Sequence, residues 1–345
     1  MYADVFELFE VRGIQADLST DRVDLFEQIR STSLFIFYKS KESEMKVLVV
    51  GGTGLIGGEI ALYLNKKGHD VTLMSRKPTT VPGLAQMSFL QGDYINDDLS
   101  DGRLQGFDWL VFSAAADIRN LPQDGSVTPE EFYTRANDEA VPRFFAAARD
   151  AGIRRAVMVG TFYPQVAPQQ IGVCPYVTSR HNTDVAVRAL SSDRFGVCSL
   201  NAPFVLGHID GLQVPYIGAL IEYARGNIPG LPLFAPKGGT NHISSRSVAQ
   251  AALNALEKAE SGKAYLLGDE NYSWKEYLEL WLAAVGNPVD LEVRDDDHPM
   301  FPDVIMFAGS GATVSYEPSA EEVAVLDYDR HQIKDLIREI VLAQG

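Results

Sequence analysis

The sequence predicts an α/β protein in which a doubly wound parallel sheet is followed by a smaller C-terminal lobe. Strand-like apolar runs alternate with helix-like segments between residues 45 and 205, as in parallel sheets with helices on both faces. A glycine-rich turn follows the first of these runs. The alternation ends after Pro203, where glycine and proline become frequent, so the second lobe is expected to begin there.

The predicted elements follow one another in the order that such a sheet requires. Residues 46–50 form a continuous apolar, β-branched run, which indicates a strand buried on both faces. A helix over 59–67 ends at Gly68, and a longer helix over 129–151 has proline near its start and Gly152 just after its end. Further strands are predicted at 71–74, 88–90, 109–112, 156–159 and 197–200, and further helices at 177–190, 246–259, 274–285 and 319–343.

Composition and charge restrict the partners of the protein. The 345 residues carry a formal net charge of −16, which repels nucleic-acid backbones and anionic lipid head groups. No apolar run approaches the roughly 20 residues that a membrane-spanning helix needs, and the first residues are acidic, unlike a secretory signal. We therefore expect a cytoplasmic protein with a small-molecule substrate and with no nucleic-acid or membrane partner.

The sequence predicts no metal site. Cys174 and Cys198 are the two cysteines, which are too few for a disulfide framework or a zinc site. Residues 295–298 read Asp-Asp-Asp-His, but no further cluster of ligands stands at metal spacing. We interpret this segment as a solvated acidic turn.

The glycine-rich turn predicts a binding site for a dinucleotide. It reads Gly-Gly-Thr-Gly-Leu-Ile-Gly over residues 51–57, between the first strand and the first helix. Glycine lets the backbone approach a pyrophosphate closely, and the helix N-terminus offers free N–H groups to it. The residues expected at the pyrophosphate are Gly51, Thr53, Gly54, Leu55, Ile56 and Gly57.

The residues after the second strand favour NADP over NAD. An NAD site usually has an acidic residue about 20 residues after the glycine turn, which accepts hydrogen bonds from the adenosine ribose. This chain has Ser75, Arg76 and Lys77 there instead. A hydroxyl and two cations suit a 2′-phosphate, because arginine binds phosphate through two hydrogen bonds. We expect NADP as the cofactor, with NAD as the alternative.

Further short motifs continue the pattern along the chain. Gly92-Asp93 follows the third strand, Ser113-Ala114-Ala115 follows the fourth, Asn137 lies in the long helix, and Pro203 to Gly207 follows the sixth strand. With the G-x-x-G-x-x-G turn, these motifs resemble extended short-chain dehydrogenase/reductases, the family of sugar-nucleotide epimerases, dihydroflavonol reductases and 3β-hydroxysteroid dehydrogenases. The resemblance covers residues 45–290 and implies a Rossmann fold.

The resemblance implies positions for several of these residues at the cofactor. Asp93 would meet the adenine amino group, and the small residues Ser113 to Ala115 would lie beside the cofactor. Pro203 and Val205 would lie near the nicotinamide.

The resemblance also implies a catalytic trio, in which one member is changed. The family uses Ser or Thr at the end of the fifth strand and Tyr-x-x-x-Lys at the start of the next helix. Thr161 matches the first position and Tyr176 matches the tyrosine, whereas Arg180 replaces the lysine. Tyr163 is a rival proton donor, but no base stands four residues after it.

The chemistry explains why these residue types recur. A carbonyl that receives hydride on carbon needs a proton on oxygen, and tyrosine donates that proton once its pKa of about 10 is lowered. A cation one helical turn away stabilises the phenolate. Arg180 supplies this charge, although its planar guanidinium is larger than an ammonium group and does not relay a proton.

The loop after the sixth strand narrows the substrate class. Sugar-nucleotide members of the family usually have Arg-Pro and a following asparagine there, whereas this chain reads Ala-Pro-Phe-Val over 202–205. We therefore predict an NADP-dependent carbonyl reductase or alcohol dehydrogenase that acts on a small apolar or aromatic substrate. Two alternatives stay open: a nucleotide-sugar epimerase of the same family, and a non-catalytic NADP-binding protein, which the change from lysine to arginine allows.

The domain organisation follows from these patterns. Residues 1–44 show neither a glycine-rich turn nor strand–helix alternation, and we interpret them as an N-terminal extension of unknown role. Residues 45–205 are predicted to form the NADP-binding Rossmann domain. Residues 206–345 are predicted to form mainly the substrate-binding lobe, with the option of returning a strand to the sheet.

A homodimer is expected from the resemblance. The helices predicted over 130–150 and 177–190 resemble the pair with which extended family members form a four-helix interface. The apolar residues expected to pack across this interface are Phe144, Ala148, Val187 and Leu190.

Overall fold

The computed structural model of the protein describes residues 44–117, 120–122, 124–302 and 306–344. The predicted extension over 1–44 lies outside these ranges, apart from Glu44. The described chain from Met45 onward belongs to one structural unit.

The core of the fold is a seven-stranded sheet in which all neighbouring strands run parallel, in the order β10-β6-β5-β4-β1-β2-β3. This confirms the predicted α/β class and the doubly wound Rossmann fold. The strand order reverses between β1 and β4, and such sheets bind their ligands outside the carboxyl ends of the strands at this point. The strands of the protein are β1 (Lys46–Val50), β2 (Asp70–Ser75), β3 (Ser88–Gln91), β4 (Trp109–Phe112), β5 (Arg155–Thr161), β6 (Gly196–Ala202), β7 (Phe204–Leu206), β8 (Ala235–Pro236), β9 (Gly239–Ser244), β10 (Ala264–Leu266), β11 (Glu270–Ser273) and β12 (Val293–Arg294).

Helices cover both faces of this sheet, as the β1 sequence indicates. Val47 and Val49 pack into one apolar cluster with residues of α1 and α7, whereas Leu48 and Val50 pack into another with residues of α3 and α5. The α-helices are α1 (Leu55–Lys66), α2 (Pro129–Tyr133), α3 (Ala140–Asp150), α4 (Tyr163–Val166), α5 (Pro175–Arg188), α6 (Pro215–Ala224), α7 (Ser245–Lys258), α8 (Trp274–Ala284), α9 (Ala320–Leu326) and α10 (Ile333–Gln344).

The long helix predicted over 129–151 contains a π-helical turn. The segment Thr134–Glu139 separates α2 from α3. Each of its backbone hydrogen bonds spans one residue more than a hydrogen bond of an α-helix. Asn137 of this turn is completely buried, and its side-chain amide bonds both the N–H and the carbonyl of Ala116, at 3.0 and 3.1 Å. The π-turn therefore fixes the loop after β4, at the carboxyl edge of the sheet.

The second part of the chain packs as a lobe with its own apolar core. Its main sheet has the order β11-β9-β7, and α6, α8 and α10 contribute the large buried side chains Tyr223, Trp281 and Ile337. Strand β10 comes from this part of the chain and yet pairs with β6 in the central sheet. The boundary at residue 205 between a cofactor-binding domain and a substrate-binding lobe stays a prediction.

The predicted packing of the helices across a dimer interface is wrong for the residues named. Phe144, Ala148 and Val187 are completely buried within the chain, and Leu190 packs against the same apolar cluster. The reason is that these side chains face the sheet, which has to be covered by apolar residues on both sides. The homodimer itself and the cytoplasmic location stay predictions. Among the described residues, no helix is long and apolar enough to cross a membrane.

The acidic turn over 295–298 is solvated at its aspartates but not at its histidine. Asp295 is exposed and pairs with Lys237, whereas the His298 ring is buried and lies 3.1 Å from both the Tyr223 hydroxyl and the Phe234 carbonyl oxygen. Burial lowers the pKa of His298 to about 4. The histidine is thus a neutral core residue.

Candidate functional site

The glycine-rich turn forms an open cradle at the carboxyl end of β1. Gly51 has φ +80°, and a Cβ on Gly57 would lie 2.4 Å from the Gly51 carbonyl oxygen, so glycine is required at both positions. Gly54 is exposed and is the N-cap residue of α1, so no side chain caps the helix there, and the first turn has no acidic residue. Free N–H groups without a competing carboxylate suit a pyrophosphate. Thr53, Leu55 and Ile56 are half-buried around this turn.

The loop after β4 lies directly against this cradle. Ser113 donates both its backbone N–H and its hydroxyl to the Val50 carbonyl, at 2.9 and 3.0 Å. A Cβ on Gly51 would lie 3.0 Å from the Ala114 Cβ. The structure thus brings together the glycine turn and the small residues Ser113 to Ala115, which are half-buried.

The residues expected at the adenosine end lie after β2 and β3. Arg76 and Lys77 are exposed, and the Ser75 hydroxyl donates to the Lys77 carbonyl at 2.6 Å. The Asp93 carboxylate accepts hydrogen bonds from the Ile95 N–H and from the Asn96 amide, at 3.0 and 2.8 Å. Asp93 is therefore oriented by its own turn and is half-buried.

The loop after β6 continues into the sheet of the second lobe. Pro203 is buried, and the half-buried Val205 pairs with Ile243 of β9 in parallel register. Just beyond, a Cβ on Gly207 would lie 2.1 Å from the Ser245 hydroxyl, so this loop packs tightly onto the start of α7.

The predicted catalytic trio lies on β5 and α5. Thr161 is the last residue of β5, at the carboxyl edge of the sheet, and Tyr176 lies in the first turn of α5. Arg180 follows one helical turn later and is 6% exposed. One of its terminal nitrogens donates to the Val159 carbonyl at 3.1 Å, and its Nε has no hydrogen-bond partner among the described residues.

Arg180 is a buried cation that has no acidic partner in the part of the chain that the structure describes. No carboxylate within the described ranges forms a salt bridge with its guanidinium. Burying a lone charge costs several kcal/mol, and proteins normally pair such a charge or place it where an anion binds or forms. The guanidinium therefore brings a buried positive charge to the helical turn that follows Tyr176.

Aromatic rings that the sequence analysis did not single out surround Tyr176. The Phe307 ring stacks on the Tyr176 ring with centroids 4.3 Å apart and an interplanar angle of 26°. The Tyr133 ring meets the Tyr176 ring edge-on, with centroids 5.6 Å apart. Tyr163, the rival proton donor, lies edge-on to Phe307 at 5.3 Å. Burial raises the pKa of Tyr163 and of Tyr133 far above the ordinary value, and the Tyr133 hydroxyl has no hydrogen-bond partner in the described part of the chain. Both phenols are thus held neutral.

A further tyrosine lies beneath the site. Tyr94 directly follows Asp93, and its ring meets Phe112, the last residue of β4, edge-on at 5.2 Å. Burial raises the pKa of Tyr94 to about 12, although the charge of Arg180 opposes this shift. The position next to Asp93 is the sequence signal by which this residue could have been found, whereas Tyr133 and Phe307 belong to no motif.

Comparison with known proteins identifies the family. The model of the NAD-dependent epimerase/dehydratase family matches residues 47–268. The chain belongs to this family. The match includes the glycine turn, the loop after β4 and all three predicted catalytic residues, and it confirms the resemblance to extended short-chain dehydrogenase/reductases.

Curated relatives include both epimerases and reductases. A UDP-glucose 4-epimerase of Corynebacterium glutamicum is 26% identical over 283 residues, which cover 72% of this chain and 83% of the relative. A 2-alkyl-3-oxoalkanoate reductase of Stenotrophomonas maltophilia is 26% identical over 269 residues, which cover 71% of this chain and 77% of the relative. The family thus identifies an enzyme class of NAD-dependent oxidoreductases and epimerases.

Solved structures share the fold. A UDP-glucose 4-epimerase from Bifidobacterium longum, in complex with NAD+ and UDP, superposes with a TM-score of 0.67 at 16% identity and covers 87% of this chain and 98% of its own. A UDP-N-acetylglucosamine 4-epimerase from Methanobrevibacter ruminantium superposes with a TM-score of 0.68 at 15% identity and equal coverage, 87% and 98%. The likeness extends beyond the Rossmann sheet into the second lobe.

Proposed function

We propose that the protein is an NADP-dependent oxidoreductase that interconverts a carbonyl and a hydroxyl on a small apolar or aromatic substrate. The observation that carries the proposal is the buried guanidinium of Arg180, which lies one helical turn after Tyr176 and pairs with no carboxylate of the described residues. An arginine on a helix surface would be solvated, and a buried structural arginine would be paired. A cation held in this way would stabilise a phenolate formed at Tyr176. The observation therefore supports a catalytic protein over one that only binds the cofactor.

The residues of the cradle fit a dinucleotide. The turn has no room for a side chain at Gly57, and the uncapped start of α1 leaves its N–H groups for a pyrophosphate. The bound nicotinamide would supply or accept the hydride.

The chain's own residues would handle the proton and the substrate oxygen. The Thr161 hydroxyl would hold the substrate oxygen, and the Tyr176 hydroxyl would donate its proton to it during reduction. Arg180 would stabilise the resulting phenolate and lower the pKa of Tyr176. The neutral Tyr163 would form part of the pocket wall and would not transfer a proton.

The proposed preference for NADP rests on Arg76 and Lys77, which are exposed at the end of β2 and have no acidic residue in sequence beside them. A phosphate–arginine contact is worth more than about 1.4 kcal/mol, so NADPH is expected to bind at least about tenfold more tightly than NADH. Arg76→Asp should reverse the preference in calorimetric titrations. Equal dissociation constants for the wild type would contradict the assignment.

A nucleotide-sugar epimerase is the second candidate, and the epimerase relatives favour it. The apolar segment 202–205 favours the reductase, because it places an aromatic ring in this loop. The Phe204 ring meets the rings of Tyr216 and Trp274 edge-on, with centroids 6.3 and 6.1 Å apart. Assays with UDP-glucose and UDP-galactose, beside NADPH oxidation with a panel of ketones, separate the two. Epimerisation without ketone reduction would replace the proposal by the second candidate.

The proton donor is tested by Tyr176→Phe, with Tyr163→Phe as the matched control. Loss of general acid catalysis should lower kcat by about a hundredfold or more in Tyr176→Phe and leave the dissociation constant of NADPH unchanged. Tyr163→Phe should keep kcat within about threefold. The reverse result would assign the proton to Tyr163, and wild-type turnover in neither assay would favour the non-catalytic NADP-binding protein.

A further inference from the structure

Phe307 reaches the candidate site from a part of the chain that the family model does not match. The match ends at residue 268, and the segment 306–316 follows it after three further elements, β11, α8 and β12. Phe307 nevertheless stacks on the Tyr176 ring at 4.3 Å and meets the Tyr163 ring edge-on at 5.3 Å. The contact therefore joins a residue outside the family match to the proposed proton donor.

Hydrogen bonds to β9 and β11 hold this segment in place. The Gly239 N–H donates to the Ala312 carbonyl at 3.2 Å, and the Val314 N–H donates to the Gly239 carbonyl at 2.9 Å. The Tyr316 carbonyl accepts from the side-chain amides of Asn241 and Asn271, at 3.1 and 3.0 Å. Residues 312–316 of the segment that carries Phe307 are thus tied to the second lobe by hydrogen bonds.

The ring geometry restricts what a substrate can place beside the proton donor. A carbonyl oxygen bonded to the Tyr176 hydroxyl lies about 2.7 Å from it. The carbon groups of that substrate would then have as neighbours the Phe307 ring, which stacks on the Tyr176 ring, and the Tyr163 ring, which stands at 73° to Phe307. Flat, unsaturated groups fit against such rings with favourable aromatic contacts, whereas saturated rings of similar size do not gain them.

We infer that Phe307 is a specificity-determining residue, which selects planar aryl or conjugated carbonyl compounds over saturated ones of the same size. The inference rests on the proposed function, because it assumes that the substrate carbonyl is bound by Tyr176. It goes beyond that function by naming a residue outside the family match and the substrate shape that this residue selects.

The test compares acetophenone with cyclohexyl methyl ketone, which differ in the aromaticity of the ring. The dissociation constants of both are measured by calorimetry in the presence of NADP+, where no hydride is available and turnover does not occur. The same pair is then used with NADPH to measure kcat/KM. Wild type should bind acetophenone more tightly, and Phe307→Leu should lower this preference by about two- to tenfold, the size of one aromatic contact.

Two variants make the test specific. Phe307→Tyr keeps the ring and should keep the preference, and Phe89→Leu, which changes a Phe on β3 that is 36% exposed, should leave it unchanged. An unchanged binding preference in Phe307→Leu, or a wild type that binds neither ketone, would overturn the inference. Phe307→Leu could lower the binding preference while neither the wild type nor any variant reduces either ketone. That result would keep the role of Phe307 and refute the proposed function.

Discussion

The lack of space at Gly57 leads to a strong prediction for the substitution Gly57→Ala. The new Cβ would lie 2.4 Å from both the Gly51 carbonyl oxygen and the Ser113 hydroxyl, whereas ordinary contact begins at 3.4 Å. The Gly51 carbonyl would have to move by about 1 Å, although it accepts the Gly54 N–H at 3.0 Å. We expect overpacking to lower the free energy of unfolding by about 1–3 kcal/mol.

The same displacement should weaken cofactor binding. A hydrogen bond from a backbone N–H to a charged phosphate is worth about 1.5–3 kcal/mol, so the loss of one raises the dissociation constant of NADPH roughly ten- to a hundredfold. Urea unfolding and calorimetric titration measure the two effects.

Two control substitutions separate stability from binding. Gly54→Ala meets only the Gly51 carbonyl oxygen, at 3.5 Å, so it should fold normally and weaken binding alone. Gly218→Ala, in α6, has open space around it and should stabilise the helix by about 1 kcal/mol with no effect on binding. Binding of NADPH by Gly57→Ala with the affinity of the wild type would refute the assignment of this turn to the pyrophosphate.

The remaining predictions concern the stability of the fold. Burial lowers the pKa of His242 from 6.5 to about 3, so the folded chain keeps it neutral and loses stability as the pH falls from 6.5 towards 3. Between pH 7 and pH 5, His242→Phe should lose about 2 kcal/mol less unfolding free energy than the wild type; equal losses in urea titrations would contradict this. Asp184 is buried and accepts hydrogen bonds from Ser199 and Arg188, so Asp184→Asn should cost about 3–5 kcal/mol. The exposed Asp150→Asn should cost less than about 1 kcal/mol, and similar losses in both variants would show that the buried network contributes little.

The Rossmann part of the fold is readable from the sequence because its signals are local. Each predicted strand is a short apolar run next to a turn, and burial on both faces requires that composition. The π-turn after Tyr133 is not predicted, because proline near the start and glycine after the end indicate where a helix lies but not the hydrogen-bond pattern inside it. The helix predicted over 319–343 is broken, since Asp327 takes a left-handed conformation with φ 41° at the end of α9.

The residues of the candidate site also divide into those with a local sequence signal and those without one. Residues next to strand ends, such as Thr161 and Gly57, are found from the sequence because the carboxyl edge of the sheet collects them. Phe307 was not found, because its contact with Tyr176 depends on how the second lobe folds back over the sheet. The faces of the helices were also misassigned, since an apolar residue such as Val187 suits the sheet as well as another subunit.

Strand β10 has a consequence for how the protein is made on the ribosome. Synthesis completes β6 well before β10 emerges, so the nascent Rossmann sheet has an open edge along Ser199 to Asn201 until the chain returns. An unpaired strand edge is a site for association with other chains. The Arg155 guanidinium of β5 also lacks its partners at this stage, because it bonds the carbonyls of Ala255 and Leu256 at the end of α7, at 2.9 and 3.0 Å. A fragment that stops at residue 205 should therefore associate more readily than the full chain, which light scattering of the two would measure.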